Sequence, residues 1–150
     1  MTSDSAELNN LIQSGYRYAR SLSGNHQDSE DLVQQAALKL FRKYGELLNR
    51  GILFKTIRNS FLDQMRRKAI APFQSLETAP ETTEDFAFGA RSDIETALTF
   101  MNHQEREAIY LNAVEGYTAE EVGAQQKAPT GTVLSRISRG RAKIAHLKRE

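Results

Sequence analysis

Two rows of polar side chains in this chain have the types and spacing to grip nucleic acid. The first is Lys55, Asn59, Asp63 and Arg66, three or four residues apart, with Arg67 beside it. At about 100° per residue these fall on one stripe of a helix. Asparagine and arginine can pair with base edges, and lysine and arginine can hold phosphates. The second row is Thr130, Thr132, Ser135, Arg136, Arg139 and Lys143. Its short hydroxyl side chains allow close approach to a groove. Arg136 and Arg139 can reach guanine edges or phosphates, and Lys143 the backbone. A solvated helix face is the ordinary alternative for each row. For the second, the concentration of cations on one face favours DNA.

Little else in the chain suggests chemistry. His26, His103 and His146 are scattered, without paired ligand spacing. No nucleophile–base pair, phosphate loop or carboxylate cluster stands out. The chain has no cysteine, which excludes disulfides and cysteine-ligated zinc. The expectation is a protein that is not an enzyme and needs no cofactor and no metal.

Composition bounds the fold. The 150 residues are 39% hydrophobic and 26% charged, which suits one ordinary domain or two small helical ones. No apolar run approaches a bilayer span, and the opening MTSDSAELNN has no basic stretch followed by an apolar core. A cytoplasmic protein without a membrane partner is expected. The net charge of +1 hides a pattern. Residues 1–70 carry a net +4, residues 71–108 a net −6 and residues 109–150 a net +3. Lys127 to Arg149 holds seven basic residues and no acidic one. Such clustering points to an anionic partner better than the net charge does.

The periodicity supplies the elements that would position these rows. Leu8, Leu11, Ile12, Tyr16, Ala19 and Leu22 predict a helix over 5–22. Asp28 looks like the N-cap of a helix over 29–44, whose apolar face is Leu32, Val33, Ala36, Ala37, Leu40, Phe41 and Tyr44. A third helix, 52–68, stacks Phe54, Ile57, Phe61 and Met65 opposite the first polar row. Residues 69–91 hold two of the three prolines, run acidic and keep no period, so the reading is a mobile linker. Helices are then predicted over 92–101 and 105–114, with Val114 on the apolar face. Thr118 and Glu121 have capping-box spacing and open a short helix to Gln126. After a turn at Lys127 and Ala128, a helix runs from Pro129 to about Leu147 with Val133, Ile137, Gly140, Ile144 and Leu147 inward. A short capped helix, a tight turn and a longer basic helix make a helix-turn-helix. The fold expected is all-α: a three-helix bundle over 1–70, a linker over 71–91 and a helix-turn-helix domain over 92–150.

Read together, these segments resemble a known family. Asp28-Ser29-Glu30-Asp31-Leu32-Val33-Gln34 resembles the opening of region 2 in sigma factors of the extracytoplasmic-function type. Leu53 to Asn59, followed by Asp63 and Arg66-Arg67, resembles that region's promoter-facing helix. Gln104 to Glu107, Glu115 to Val122 and Pro129 to Ile137 resemble region 4. The resemblance covers nearly the whole chain, in order.

The resemblance implies a sigma factor that gives RNA polymerase its promoter specificity. Asp28, Glu30, Asp31, Leu32, Gln34 and Gln35 would dock on the clamp helices of the polymerase beta-prime subunit. Asn49, Arg50, Lys55, Arg58, Asn59, Asp63, Arg66 and Arg67 would hold the minus-ten element during opening. Thr130, Thr132, Ser135, Arg136, Arg139 and Lys143 would read the minus-thirty-five element as duplex. Region 4 would also touch the beta flap, and an anti-sigma factor is a further expected partner. In holoenzyme the protein would be nucleoid-associated. The chain departs from the family pattern at Lys127, where the turn usually carries glycine, and at Gln125 and Gln126, where apolar residues are usual. Its connection from Tyr44 to Ile52 is short, and Thr56 replaces an apolar residue. Two other readings stay open: a stand-alone helix-turn-helix regulator, and a sigma-like module that titrates an anti-sigma factor.

Overall fold

The computed structural model describes residues 2–47, 49–70 and 93–148. The expected linker, 71–91, lies outside them. The chain divides into two compact units, Met1–Glu77 and Thr78–Glu150. All regular elements among the described residues are helical.

The first unit is built from α1 (Thr2–Ser23), α2 (His26–Tyr44) and α3 (Arg50–Ile70), each packed on the other two. Its core is Tyr18, Leu22, Leu32, Ala36, Leu40, Leu53, Phe54 and Ile57. Tyr18 stacks on Phe54 with ring centroids 4.4 Å apart. Tyr18, not Tyr16, is therefore the core tyrosine of α1. Gly15 lets the helices come this close, because a Cβ there would sit 3.0 Å from Leu53 Cδ2. Tyr16 instead turns to the α2 terminus, where its hydroxyl bonds His26 Nδ1. Phe41 and Tyr44 also differ from the reading of their helix as apolar-faced to its end: both are exposed. Met65 is 39% exposed, at the end of α3 beyond the reach of the core.

Helix α2 starts earlier than expected. Its N-cap is Asn25, whose Oδ1 accepts from the Asp28 backbone N–H at 2.8 Å. Asp28 is then the third residue of the helix, and its carboxylate accepts from Asn25 Nδ2. Asparagine and aspartate cap about equally well, so sequence alone does not decide between them. Gly45, with φ 78°, ends the helix in the left-handed conformation that glycine adopts without strain.

The second unit contains α4 (Asp93–Phe100), α5 (His103–Ile109), α6 (Ala119–Gln126) and α7 (Thr130–Lys148). Helix α7 packs on the other three. A capping box of Asn102 and Glu105 opens α5. The helix continues as a π turn, Tyr110–Val114, closed by Glu115 N–H to the Tyr110 carbonyl. That wider turn shifts the phase of the apolar face, so Leu111 is buried while Val114 is 62% exposed. Val114 thus leaves the core expected for it. Arg106 Nη1 donates to the Leu98 and Met101 carbonyls and pins the end of α4. Burial pushes this guanidinium down to about 10, so it remains a cation at neutral pH.

The capping box of Thr118 and Glu121 opens α6 as expected. Lys127 ends it at φ 53° and ψ 48°, the one non-glycine residue with positive φ among the described residues. Replacing Lys127 by glycine should raise the stability of this unit by about 1 kcal/mol, because only the lysine Cβ is strained there. Chemical denaturation of the full chain checks this; an unchanged or lower midpoint counts against it.

Candidate nucleic-acid interface

In the first unit the polar row of α3 is on the surface. Lys55, Asn59, Arg66 and Arg67 are exposed, while Arg58 and Asp63 are partly covered. Asp63 holds Arg67 through a carboxylate–guanidinium contact of 3.0 Å, one helical turn apart. Thr56 Oγ1 donates to the Ile52 carbonyl at 2.8 Å, a bond to its own helix backbone. Asn49 acts locally, since its Oδ1 accepts from the Ile52 N–H at 3.0 Å and caps α3. Arg50 is exposed at the first residue of that helix.

The residues expected to meet a protein partner lie on α2. Asp28, Glu30, Asp31, Gln34 and Gln35 are exposed. Leu32 is 0% exposed. It belongs to the bundle core and cannot touch a partner, so its expected contact role is corrected. Glu30 is drawn to His26 Nε2 at 2.7 Å. A shallow groove between α2 and α3 is lined by Gln35, Lys39, Arg42, Ser60, Asp63 and Arg67. It sets Gln35 of α2 across from Asp63 and Arg67 of α3.

The second unit presents α7. Thr130, Ser135 and Arg139 are exposed; Thr132, Arg136 and Lys143 are partly covered. Val133 and Ile137 are buried on the inner side. At Gly140 the helix passes so close to α5 that a Cβ would lie 2.2 Å from Ile109 Cδ1. Leu134, 55% exposed, and exposed Ser138 and Arg141 share the outer surface. None of these three belongs to the row from Thr130 to Lys143.

Three cations of α7 are tied to neighbouring helices. Glu105, buried at the start of α5, takes Lys143 Nζ at 2.7 Å on Oε1 and faces Arg139 Nε at 3.5 Å with Oε2. Burial opposes the Glu105 charge. The Lys143 hydrogen bond, the Asn102 backbone and the charges of Lys143 and Arg139 together outweigh it and hold the carboxyl below its ordinary range. Arg136 Nη1 donates to Gln126 Oε1 at 2.7 Å. Gln126 Nε2 in turn donates to Glu107 Oε1 at 2.9 Å and to the Gln104 carbonyl at 3.0 Å. Gln126 therefore bridges three helices where an apolar residue would only fill space. Sequence reasoning missed Glu105 and Glu107. The Asn102-x-x-Glu105 spacing signals the cap, but nothing local signals partners 19 to 38 residues away.

A helix pair of this form can offer its second helix to a major groove. No three His, Asp or Glu side chains gather as a metal site would need, among the described residues. No described helix is long and apolar enough to cross a membrane.

Comparison with known proteins agrees with this geometry. The sigma-70 region 2 family model matches residues 9–70, and the sigma-70 region 4 model matches residues 91–144. The ECF RNA polymerase sigma factor SigE of Mycolicibacterium smegmatis is 35% identical over 86% of this chain and 55% of its own length. The chain thus spans about half of that relative. The ECF RNA polymerase sigma factor EcfG of Rhodopseudomonas palustris is 28% identical over 87% of this chain and 76% of its own. Among solved structures, the sigma factor RpoE in complex with the anti-sigma factor NepR from Bartonella quintana matches with a TM-score of 0.69 and 25% identity. That match covers 99% of this chain and 98% of the other.

Proposed function

The chain belongs to the extracytoplasmic-function sigma factors of the sigma-70 family, and from that premise we propose that it directs promoter recognition and transcription initiation by core RNA polymerase. The observation that carries this reading is the pairing of both family regions, in order, with two folded units that each expose a basic helix. The chain acts as an initiation factor, and the polymerase performs the chemistry.

In this reading α7 docks in the major groove of the minus-thirty-five duplex. Thr130, Thr132 and Ser135 approach the bases, and Arg136, Arg139 and Lys143 supply base-edge and phosphate contacts. The face of α3 from Lys55 to Arg67 holds the minus-ten strand, with Asn49 and Arg50 at its entrance. A unit that binds an unpaired base favours the melted state, because that binding energy exists only after opening. Joining two readers in one chain raises their combined affinity without new contacts. Residues 71–91 serve as the tether. Asp28, Glu30, Asp31, Gln34 and Gln35 face the beta-prime clamp helices, and region 4 adds the beta flap. The protein works in the cytoplasm, at the nucleoid when in holoenzyme.

An anti-sigma protein is a further proposed partner, supported by the solved relative being held by one. Run-off transcription with purified core polymerase tests the whole reading. Defined starts that core alone does not make are expected. Promoter binding without polymerase and no initiation with it would leave only a stand-alone regulator. Tight anti-sigma binding with no transcription would leave a titrating module.

A further inference from the structure

Gln126 stands at the end of α6, directly before the strained turn at Lys127. Its amide has two ends and no rotational symmetry, so its partners fix its orientation. Nε2 must donate, and it meets two acceptors: Glu107 Oε1 at 2.9 Å and the Gln104 carbonyl at 3.0 Å. Glu107 is wholly buried, so it cannot turn to solvent for another donor. With Nε2 held on this side, Oε1 must point to the other. There it accepts Arg136 Nη1 at 2.7 Å. The result is a relay from a buried carboxylate through an amide to the guanidinium of the proposed reading helix.

An arginine side chain has several rotatable bonds, and ordering it on binding costs affinity. A guanidinium already bonded at one corner loses less on binding. It also arrives in one orientation, and bidentate pairing with guanine O6 and N7 depends on orientation. A leucine or methionine at position 126 would fill similar space but give Arg136 nothing to bond.

We propose that Gln126 is a positioning residue for promoter reading: held by Glu107, it fixes the Arg136 guanidinium and so sets the base preference of the minus-thirty-five contact. This rests on the promoter-reading role proposed for α7. The same relay predicts that Arg136 and Gln126 act as one unit, so that removing either leaves little for the other to lose.

The test uses holoenzyme assembled from core polymerase and the full chain, selected on duplexes randomised across the upstream element. Wild type, Gln126→Leu, Arg136→Ala and the double variant are compared for base preference at each position, total binding and melting temperature. Gln126→Leu should lower preference about fivefold to tenfold at the position that Arg136→Ala affects, with total binding nearly unchanged. It should add nothing in the Arg136→Ala background. Gln126→Met gives the same reading if leucine packs poorly. Equal weakening on every sequence, repeated in the Arg136→Ala background, would mean a structural role and overturn the proposal. Preference lost with Arg136→Ala but kept with Gln126→Leu and Gln126→Met overturns the positioning role alone. Preference unchanged with Arg136→Ala overturns the reading by Arg136 as well.

Discussion

Asp31→Arg should remove this chain from core polymerase while leaving it folded. On the docking proposed for α2, few of its residues are left to meet polymerase. Leu32 is in the core, Asp28 is engaged with its cap Asn25, and Glu30 is drawn to His26. Asp31, Gln34 and Gln35 remain, at i, i+3 and i+4 on one exposed face. Leu38, 53% exposed, continues that face one turn further and offers an apolar anchor beside the polar ones. On the proposed docking, this carboxylate would face a complementary surface. Reversing it sets like charges together at a cost of several kcal/mol, or at least roughly a hundredfold in affinity. The free protein should hardly notice, since one exposed charge near a helix N-terminus is worth only about 0.3–1 kcal/mol. Size-exclusion chromatography with core polymerase reads the outcome, and circular dichroism confirms folding. Glu7→Arg makes the same charge change on exposed α1 and should assemble normally. Assembly retained by Asp31→Arg, or lost equally with Glu7→Arg, refutes this face as the docking surface.

The case of Leu32 shows what a sequence can and cannot say about a site. Periodicity places Leu32 on the apolar face of its helix, and resemblance places it in a contact motif. The two readings conflict, because residues 31 and 32 point about 100° apart. The structure follows the period: positions 32, 33, 36 and 40 are inward, and 31, 34, 35 and 38 outward. The seven α-helices among the described residues and the capping box at Thr118 are legible for the same reason, since local spacing carries them. The turn at Lys127 is legible from the pattern, and its left-handed backbone only through the resemblance that puts glycine there.

Other features have no local signal. The π turn after Ile109 depends on how α5 meets the rest of its unit, and so does the exposure of Val114. The ties from Arg136 to Gln126, and from Arg139 and Lys143 to Glu105, join residues ten to thirty-eight positions apart. A charge count sees these cations as a solvated face. Their spatial partners turn some of them into anchored groups, which changes what each can offer to DNA. Glycine is the clearest example of meaning hidden from sequence. Gly123, Gly131 and Gly140 read alike in a string, yet only two of them sit where a side chain has no room.

Gly123→Val should unfold the second unit and leave the first intact. A Cβ at Gly123 would lie 2.6 Å from the Ala128 backbone oxygen. That oxygen cannot swing aside like the end of a side chain. The Gly123 carbonyl accepts from both the Lys127 and Ala128 N–H groups, which ties this stretch of chain to the glycine itself. Moving Ala128 means opening the turn and shifting the start of α7. Overpacking alone costs about 1–3 kcal/mol, and valine adds two branched carbons to the clash. A unit this small has a modest core and little stability to lose. Gly131 supplies the opposite sign: nothing lies within 4 Å of its ideal Cβ. Gly131→Ala should therefore stabilise the unit by just under ~1 kcal/mol through helix propensity. Hydrogen exchange on the full chain separates the two units by residue. Protection over 93–148 should collapse in Gly123→Val and persist over 2–47 and 49–70. Holoenzyme made with this variant should still assemble through α2 yet ignore the upstream element. Normal protection across α6 and α7 in Gly123→Val would show that the turn can relax around a side chain. The close approach at Gly123 would then not be what sets the geometry of the reading helix.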